Sequence, residues 1–328
     1  MTDLEARPDE RPVPGEPLGA GGTPRRQVLP ARTVPLGGVR GLEVRRTLPQ
    51  RDVPTVGAWC FVDRYGPTSA SMRVLPHPHT GLATVTWPLS GPVRHRDSVG
   101  SVGSDIVVRP GELDLMTAGR GVSHSEVSLD DGAPLSGVQL WLALPDATRH
   151  DPPRFEHHRD LPVLERPRSS ARVMVGRLGD AVSPARTDTR AVAAEVTLAE
   201  GATTLPLDPR DEHALLVLTG DPAALAVDGG PVPEHALLHL GAGREGLDLL
   251  VAPGAGPVRV LLLGGEPFRE DLLMWWNLVA RTHDEVVAWR DDWEARSDRY
   301  GRVDGHGDER IPAPPLPGVR LVPRRRAG

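Results

Sequence analysis

The sequence predicts an all-β protein: two tandem jelly-roll β-barrels followed by one C-terminal amphipathic helix. Three observations predict it. Short apolar runs recur between Gly- and Pro-containing turns, in a chain of 328 residues with 36 Gly and 35 Pro, a pattern of sandwiches and barrels rather than helices. The second half repeats the turns of the first, so one supersecondary plan used twice accounts for the length. Helical periodicity surfaces only near the end of the chain.

Residues 1–27 are rich in Pro, Gly, Glu and Arg and lack the apolar centre of a secretory signal, so they read as a disordered tail. Residues 28–145 form the first barrel. Val28 to Arg46 gives edge strands. Trp59 to Asp63 is a compact apolar strand closed by Tyr65-Gly66-Pro67, and Leu82 to Leu89 alternates apolar and hydroxyl residues up to a turn at Ser90-Gly91. Ile106 to Val108 and Leu113 to Met116 flank Pro110-Gly111, and Val138 to Leu144 closes the half. Residues 146–168 are polar and proline-containing and read as a linker.

Residues 169–300 form the second barrel. Its apolar strands are Glu195–Leu198, Ala214–Leu218, Ala224–Val227, Ala236–Leu240, Leu247–Val251 and Val258–Leu263. Thr219-Gly220 overlays Ser90-Gly91, and Ala242-Gly243-Arg244 overlays Ala118-Gly119-Arg120. A helix spans 282–296. Thr282 and Glu285 have the spacing of a capping box, in which each side chain answers a backbone N–H of the other residue. Val286, Trp289 and Trp293 then follow at helical spacing, and with Trp275 and Trp276 they pin the helix to the β-body. Residues 301–328, Pro-, Gly- and Arg-rich, read as a second disordered tail.

Composition excludes several classes. A net charge of −6 argues against direct nucleic-acid binding, which needs a basic surface; Arg324-Arg325-Arg326 is a solvated tail. No apolar run is long enough to span a membrane. The single cysteine, Cys60, cannot form an internal disulfide, which fits a reducing compartment and a cytoplasmic location. It lies in an apolar strand and reads as an inert buried thiol.

Two short words carry chemistry: His77-Pro78-His79 and His124-Ser125-Glu126. On a strand, residues i and i+2 share a face, so three imidazoles and one carboxylate can converge if the two strands share a barrel. That donor set suits one divalent first-row transition metal, most plausibly Fe(II), with open coordination positions. A structural zinc site would more usually recruit cysteine. Gly119-Arg120-Gly121 lacks the Lys and the strand–loop–helix context of a phosphate cradle, and reads as a tight turn aiming His124. His235 and His239 lie on a predicted strand and are structural or exposed, and His157-His158 is solvated. Overlaying the turns puts Pro206, Asp208, Asp248 and Leu250 opposite the four candidate ligands, so one barrel carries the metal and the other is structural.

His77-Pro78-His79-Thr80-Gly81, the run Met116 to Glu126, and Gly265-Glu266-Pro267 with Trp275-Trp276-Asn277 resemble the pirin family of the cupin superfamily, over about Pro30 to Trp293. The resemblance implies a bicupin with one mononuclear iron in the N-terminal barrel, held by His77, His79, His124 and Glu126. Many cupins take their carboxylate just after the His-x-His pair. Here Ala83 and Thr84 stand there, and Glu126 supplies it, as in pirins. Arg64 is a departure, standing where relatives often carry His. The resemblance implies two functions of different class. One is a metal-dependent dioxygenase of quercetin 2,3-dioxygenase type acting on flavonols, the metal serving as Lewis acid and template and Glu126 as catalytic base. The alternative is a non-catalytic regulator that binds a partner protein according to the oxidation state of its iron.

Overall fold

The computed structural model describes residues 26–35, 42–129, 132 and 134–323. Residues 1–25 of the expected N-terminal tail, and Arg324 to Arg326, lie outside them. Twelve strands concern the first barrel and its surroundings: β1 (Gln27–Pro30), β2 (Arg32–Pro35), β3 (Glu43–Leu48), β4 (Trp59–Thr68), β5 (Arg73–His79), β6 (Leu82–Ser90), β7 (Val93–Asp97), β8 (Asp105–Val108), β9 (Leu113–Thr117), β10 (Val122–Ser128), β11 (Leu135–Ala143) and β12 (Arg154–His158). They build a seven-stranded sheet, β12-β9-β6-β11-β4-β3-β2, facing a four-stranded sheet, β5-β10-β7-β8. The protein is therefore the expected all-β double barrel.

The second barrel repeats this plan. Its four-stranded sheet runs Gly201–Pro206, Gly246–Val251, Leu225–Val227, Gly230–Pro231, and its seven-stranded sheet centres on Ala236–Gly241, Glu212–Thr219, Val258–Gly265 and Ala191–Leu198. The two large sheets pack back to back. Val62, Val85 and Leu140 of the first share one core with Ala193, Leu216 and Leu261 of the second. The buried indole N–H of Trp59 crosses between them, 3.2 Å from the Val192 carbonyl and 3.0 Å from that of Gly264. The inside of the second barrel is aliphatic, with Val173, Val196, Leu205, Leu247, Leu249 and Val260 in one cluster.

The helix is α1 (His283–Glu294), with the Thr282–Glu285 capping box formed in both directions and Val286, Trp289 and Trp293 buried. No helix among the described residues is long and apolar enough to cross a membrane.

Three expectations are corrected. Strand β1 does not join the first barrel; it pairs with Ala236–Gly241, completing the large sheet of the second. The linker 146–168 is not a plain connection, since β12 pairs with β9 and Val163–Arg166 pairs with Ser169–Val175. Residues 301–323 of the second tail are laid against the body. The stretch through Ile311 runs along the outer face of β5 and β10. Beyond it the Pro314 carbonyl accepts from Arg290 Nε and the Leu321 N–H donates to His283 Nδ1 of α1, both at 3.1 Å. The Ile311 N–H donates to the Pro76 carbonyl at 2.9 Å, and the Ser98 and Ser123 hydroxyls both donate to the Tyr300 carbonyl, at 2.6 and 2.8 Å. Such a strap fills no core of its own. It is held by hydrogen bonds to outward-facing groups and by scattered apolar anchors, Ile311, Leu316 and Leu321, whose spacing follows no helix or strand period.

Replacing Trp59 by Phe removes one N–H that two buried carbonyls share. We expect a loss of about 1–3 kcal/mol, read as a lower urea midpoint. A wild-type midpoint would show that this contact does not hold the barrels together.

Candidate metal centre

Strands β5 and β10 are antiparallel neighbours, with His77 opposite His124 and His79 opposite Val122. Alternation sends the three histidines into the barrel and Ser123 and Ser125 outward. Ser125 Oγ is 2.8 Å from His306 Nε2 of the strap. The loop before β10 must bend hard to set this register. Gly119 sits at φ +52°, and a Cβ there would come within 2.1 Å of the Asp151 carbonyl oxygen, so no other residue fits without moving backbone. Gly81, at φ +75°, is pinched in the same way against the Val279 carbonyl.

His77, His79 and His124 are all fully buried, and one ring nitrogen of each lies within 4.8 Å of the other two. His79 Nε2 and His124 Nε2 are 3.1 Å apart. The opposite ring nitrogens explain why these atoms face one another. His77 Nδ1 is 2.9 Å from the Leu75 carbonyl, and His79 Nδ1 is 3.3 Å from that of Asn277. A carbonyl only accepts, so in both rings the proton sits on Nδ1 and Nε2 presents a lone pair. His77 Nε2 is buried with no hydrogen-bond partner.

This geometry fits a transition metal. Two nitrogens each about 2.1 Å from one ion lie about 3.0 Å apart at adjacent octahedral positions and about 3.4 Å apart at tetrahedral ones. The observed 3.1 Å is nearer the first. The rings are also in the ligating protonation state. Burial pushes His77 down to about 3 and holds His79 and His124 well below the ordinary imidazole value, so the rings are neutral near pH 7.

Glu126 differs from the expectation. It lies in the same buried interior, but the group of mutually close donors among the described residues contains only the three histidines. Its Oε1 accepts a hydrogen bond from Thr86 Oγ1 at 3.1 Å. The pairing of β10 with β5 also breaks step between His124 and Glu126, while its pairing with β7 stays regular.

Thr86 belongs to a cross-strand row that spans the large sheet. Arg46, Asp63, Gln139, Thr86, Asp114 and His157 stand opposite one another in turn. Arg46 and Asp63 pair through two hydrogen bonds, of 2.8 and 2.9 Å, and His157 Nδ1 is 2.6 Å from Asp114 Oδ1. His157 is thus tied to a buried carboxylate rather than solvated as expected. His239 is buried, 3.3 Å from Glu212 Oε2, while His235 lies beside Glu234 at the surface. Burial pushes the Cys60 thiol up to about 12, consistent with an inert group.

Sequence reasoning missed His95 and Asp97 on β7. They carry the same i, i+2 spacing as the two chosen words, and both are buried beside His124. Their spacing was the available signal.

Neutral buried rings set a pH dependence. The unfolded chain protonates histidine near pH 6.5, whereas the folded rings resist protonation to far lower pH. Their contribution to stability is therefore fully present above about pH 6.5 and is lost progressively as pH falls below it, for His77 down to about pH 3. Metal-free protein is expected to lose stability with falling pH, by up to about 1.4 kcal/mol per pH unit for each ring. The slope should shrink in a His77→Asn, His79→Asn double variant. Equal slopes in urea midpoints would mean that these rings are not held neutral.

Residues 41–142 match the model of the Pirin family, and residues 193–299 match that of the Pirin C-terminal cupin domain. A Pseudomonas aeruginosa protein provisionally named quercetin 2,3-dioxygenase is 40% identical over 296 residues, covering 89% of this chain and 90% of its own. A pirin-like protein of Caulobacter vibrioides is 32% identical, covering 88% of this chain and 98% of its own. The crystal structure of quercetin 2,3-dioxygenase from Acinetobacter baumannii superposes with a TM-score of 0.82 at 37% identity, covering 90% of this chain and 97% of that one. Two barrels in tandem, a histidine triad in the first, and likeness over nearly the full length of these proteins lead to one conclusion: the chain belongs to the pirin family of cupin proteins.

Proposed function

We propose that the protein is a mononuclear non-haem iron dioxygenase with quercetin 2,3-dioxygenase-type activity on flavonol-like substrates. The observation that carries this reading is the meeting of three neutral imidazoles in a buried barrel, with a carboxylate on the same strand as one of them. The names borne by the 40%- and 37%-identical relatives support the substrate class. In this reading Glu126 joins His77, His79 and His124 as the fourth ligand by a turn of its side chain away from Thr86. Three nitrogens and one oxygen suit Fe(II) while leaving positions open. We place the protein in the cytoplasm, where the single buried Cys60 stays reduced.

Iron bound there supplies a Lewis acid and a template for substrate and O₂. The residues of the chain do the rest. Glu126 takes the proton of the flavonol hydroxyl and holds it on its carboxylate. Thr86 Oγ1, which donates to Glu126 Oε1 at 3.1 Å, keeps the carboxylate in the barrel interior until it turns to bind. Beside His79 the wall is aromatic and buried, where Phe61 and Trp141 stack at 4.0 Å and the Trp141 ring meets His79 edgewise at 5.2 Å. Such an interior strengthens every charge interaction within it.

Metal analysis followed by oxygen-electrode assay with quercetin tests the reading. O₂ uptake should track iron content. Glu126→Gln keeps the shape of the side chain and removes its charge. At full metal occupancy, turnover is expected to fall by roughly 10²–10⁴-fold, and unchanged turnover would remove Glu126 as the base. Absence of uptake by iron-loaded protein, with redox-dependent retention of a protein partner, would sink the dioxygenase reading.

The His77→Ala, His79→Ala double variant should bind no iron while the second barrel stays folded. One retained equivalent would place the site elsewhere.

A further inference from the structure

His95 and Asp97 lie outside the ligand set, on β7, which borders β10 on the side away from β5. The strand alternates Val93, His95 and Asp97 inward, all buried. His95 Nε2 is 3.0 Å from Asp97 Oδ2. Asp97 Oδ1 accepts from the backbone N–H groups of Val99 and Ser104, both at 2.9 Å, so the carboxylate is fixed by the turn that follows it. On one face the His95 ring stacks against Phe155 of β12, with centroids 4.7 Å apart and planes at 17°. Its Nδ1 is 3.4 Å from Nδ1 of His124.

A core histidine satisfied by a neighbouring carboxylate is the plainer account of His95, but it explains only one of its two nitrogens. The other faces His124, and metal ligation by His124 would leave that pair one arrangement. If His124 gives its Nε2 lone pair to a metal, its proton sits on Nδ1. His95 Nδ1 must then be bare to accept it, and the proton of His95 must lie on Nε2, where Asp97 accepts it. Every proton in the row has one place. His77 and His79 are different, for backbone carbonyls hold their Nδ1 protons. Of the three rings, His124 is the one oriented by a side chain.

We infer that His95 and Asp97 form a carboxylate–imidazole relay that fixes the tautomer and direction of His124 and raises the donor strength of its Nε2, making His95 a positioning residue for the metal. This rests on the metal-binding reading of the histidine triad. Partners of this kind govern metal affinity because they set both the geometry and the basicity of the ligand.

The test uses full-length protein loaded with Co(II), whose affinity is read by chelator competition. In the proton spectrum of the loaded protein, ligand imidazole N–H protons are shifted and exchangeable. The His95→Asn change sets an amide oxygen near the position of the imidazole Nδ1, whereas His95→Gln sets an amide nitrogen near that of Nε2. His95→Leu and His95→Gln should each lose roughly 10–100-fold in affinity, together with one shifted N–H signal, that of His124. His95→Asn, which restores an acceptor for His124, should stay within a few-fold of wild type and keep the signal. Should the Leu variant fail to fold, the Asn and Gln pair carries the same comparison. Equal affinity in all variants, or an Asn variant as weak as the Gln variant, overturns the inference. Failure of the wild-type protein itself to bind Co(II) would instead overturn the metal reading on which it rests.

Discussion

Three imidazole lone pairs turned toward one another in a buried interior repel unless a cation stands between them, and much of the molecule serves to hold that arrangement. Leaving a buried polar atom such as His77 Nε2 unpaired costs about 1–3 kcal/mol. The fold sustains it by fixing the far side of each ring. The Leu75 carbonyl does so from within β5, and His95 from β7. The Asn277 carbonyl comes from the hairpin of Leu273–Trp275 and Leu278–Ala280, beyond the second barrel. That hairpin reaches the first barrel through a bridge between Leu278 and Thr80 and a hydrogen bond from the Val279 N–H to the Thr80 carbonyl. One ligand of the first barrel is therefore oriented by the second half of the chain.

The two barrels show what that arrangement displaces. In the second, the corresponding small sheet turns Leu205, Leu247 and Leu249 inward, while Asp248 and Leu250 are exposed. Where the first barrel holds polar rings and a row of charged and hydrogen-bonded side chains, the second holds aliphatic packing. Aliphatic burial contributes about 25 cal/mol for each Å², so the second barrel has the conventional core. Its large sheet supports the first barrel from behind, through Trp59 and the shared apolar layer.

Much of this was legible in the sequence, for reasons that also mark the limits. The turns at Ser90-Gly91 and Thr219-Gly220 exposed the repeat, and i, i+2 spacing placed His77, His79 and His124 on one inner face. Strand β7 escaped because two of its inward residues are His95 and Asp97, so the alternation that betrays a strand, apolar in and polar out, is inverted there. The strap escaped because its hydrogen bonds run through backbone and hydroxyl groups and its apolar anchors, Ile311, Leu316 and Leu321, are too widely spaced to form a stripe. The position of the Glu126 carboxylate depends on Thr86, forty residues away and on the opposite sheet, a pairing that no local pattern contains. The exchange of β1 was equally invisible, since a four-residue edge strand reads the same whichever sheet it completes.

That exchange ties the order of synthesis to the order of assembly. As the chain emerges, the first barrel can close once β12 has appeared, for its sheets are then complete without β1. The opening strand must wait for Ala236–Gly241, made some two hundred residues later, a delay of at least about 10 s at ordinary elongation rates. Until then β1 exposes unpaired backbone, the kind of edge that recruits other chains. The short length of β1, with Pro30 at its end and Ala31 beyond, limits that exposure. Once seated, β1 fastens the start of the polypeptide to its second half, so a cut between the barrels would leave two pieces still bound to each other. The halves share one plan, yet neither is whole without a strand lying beyond its own repeat.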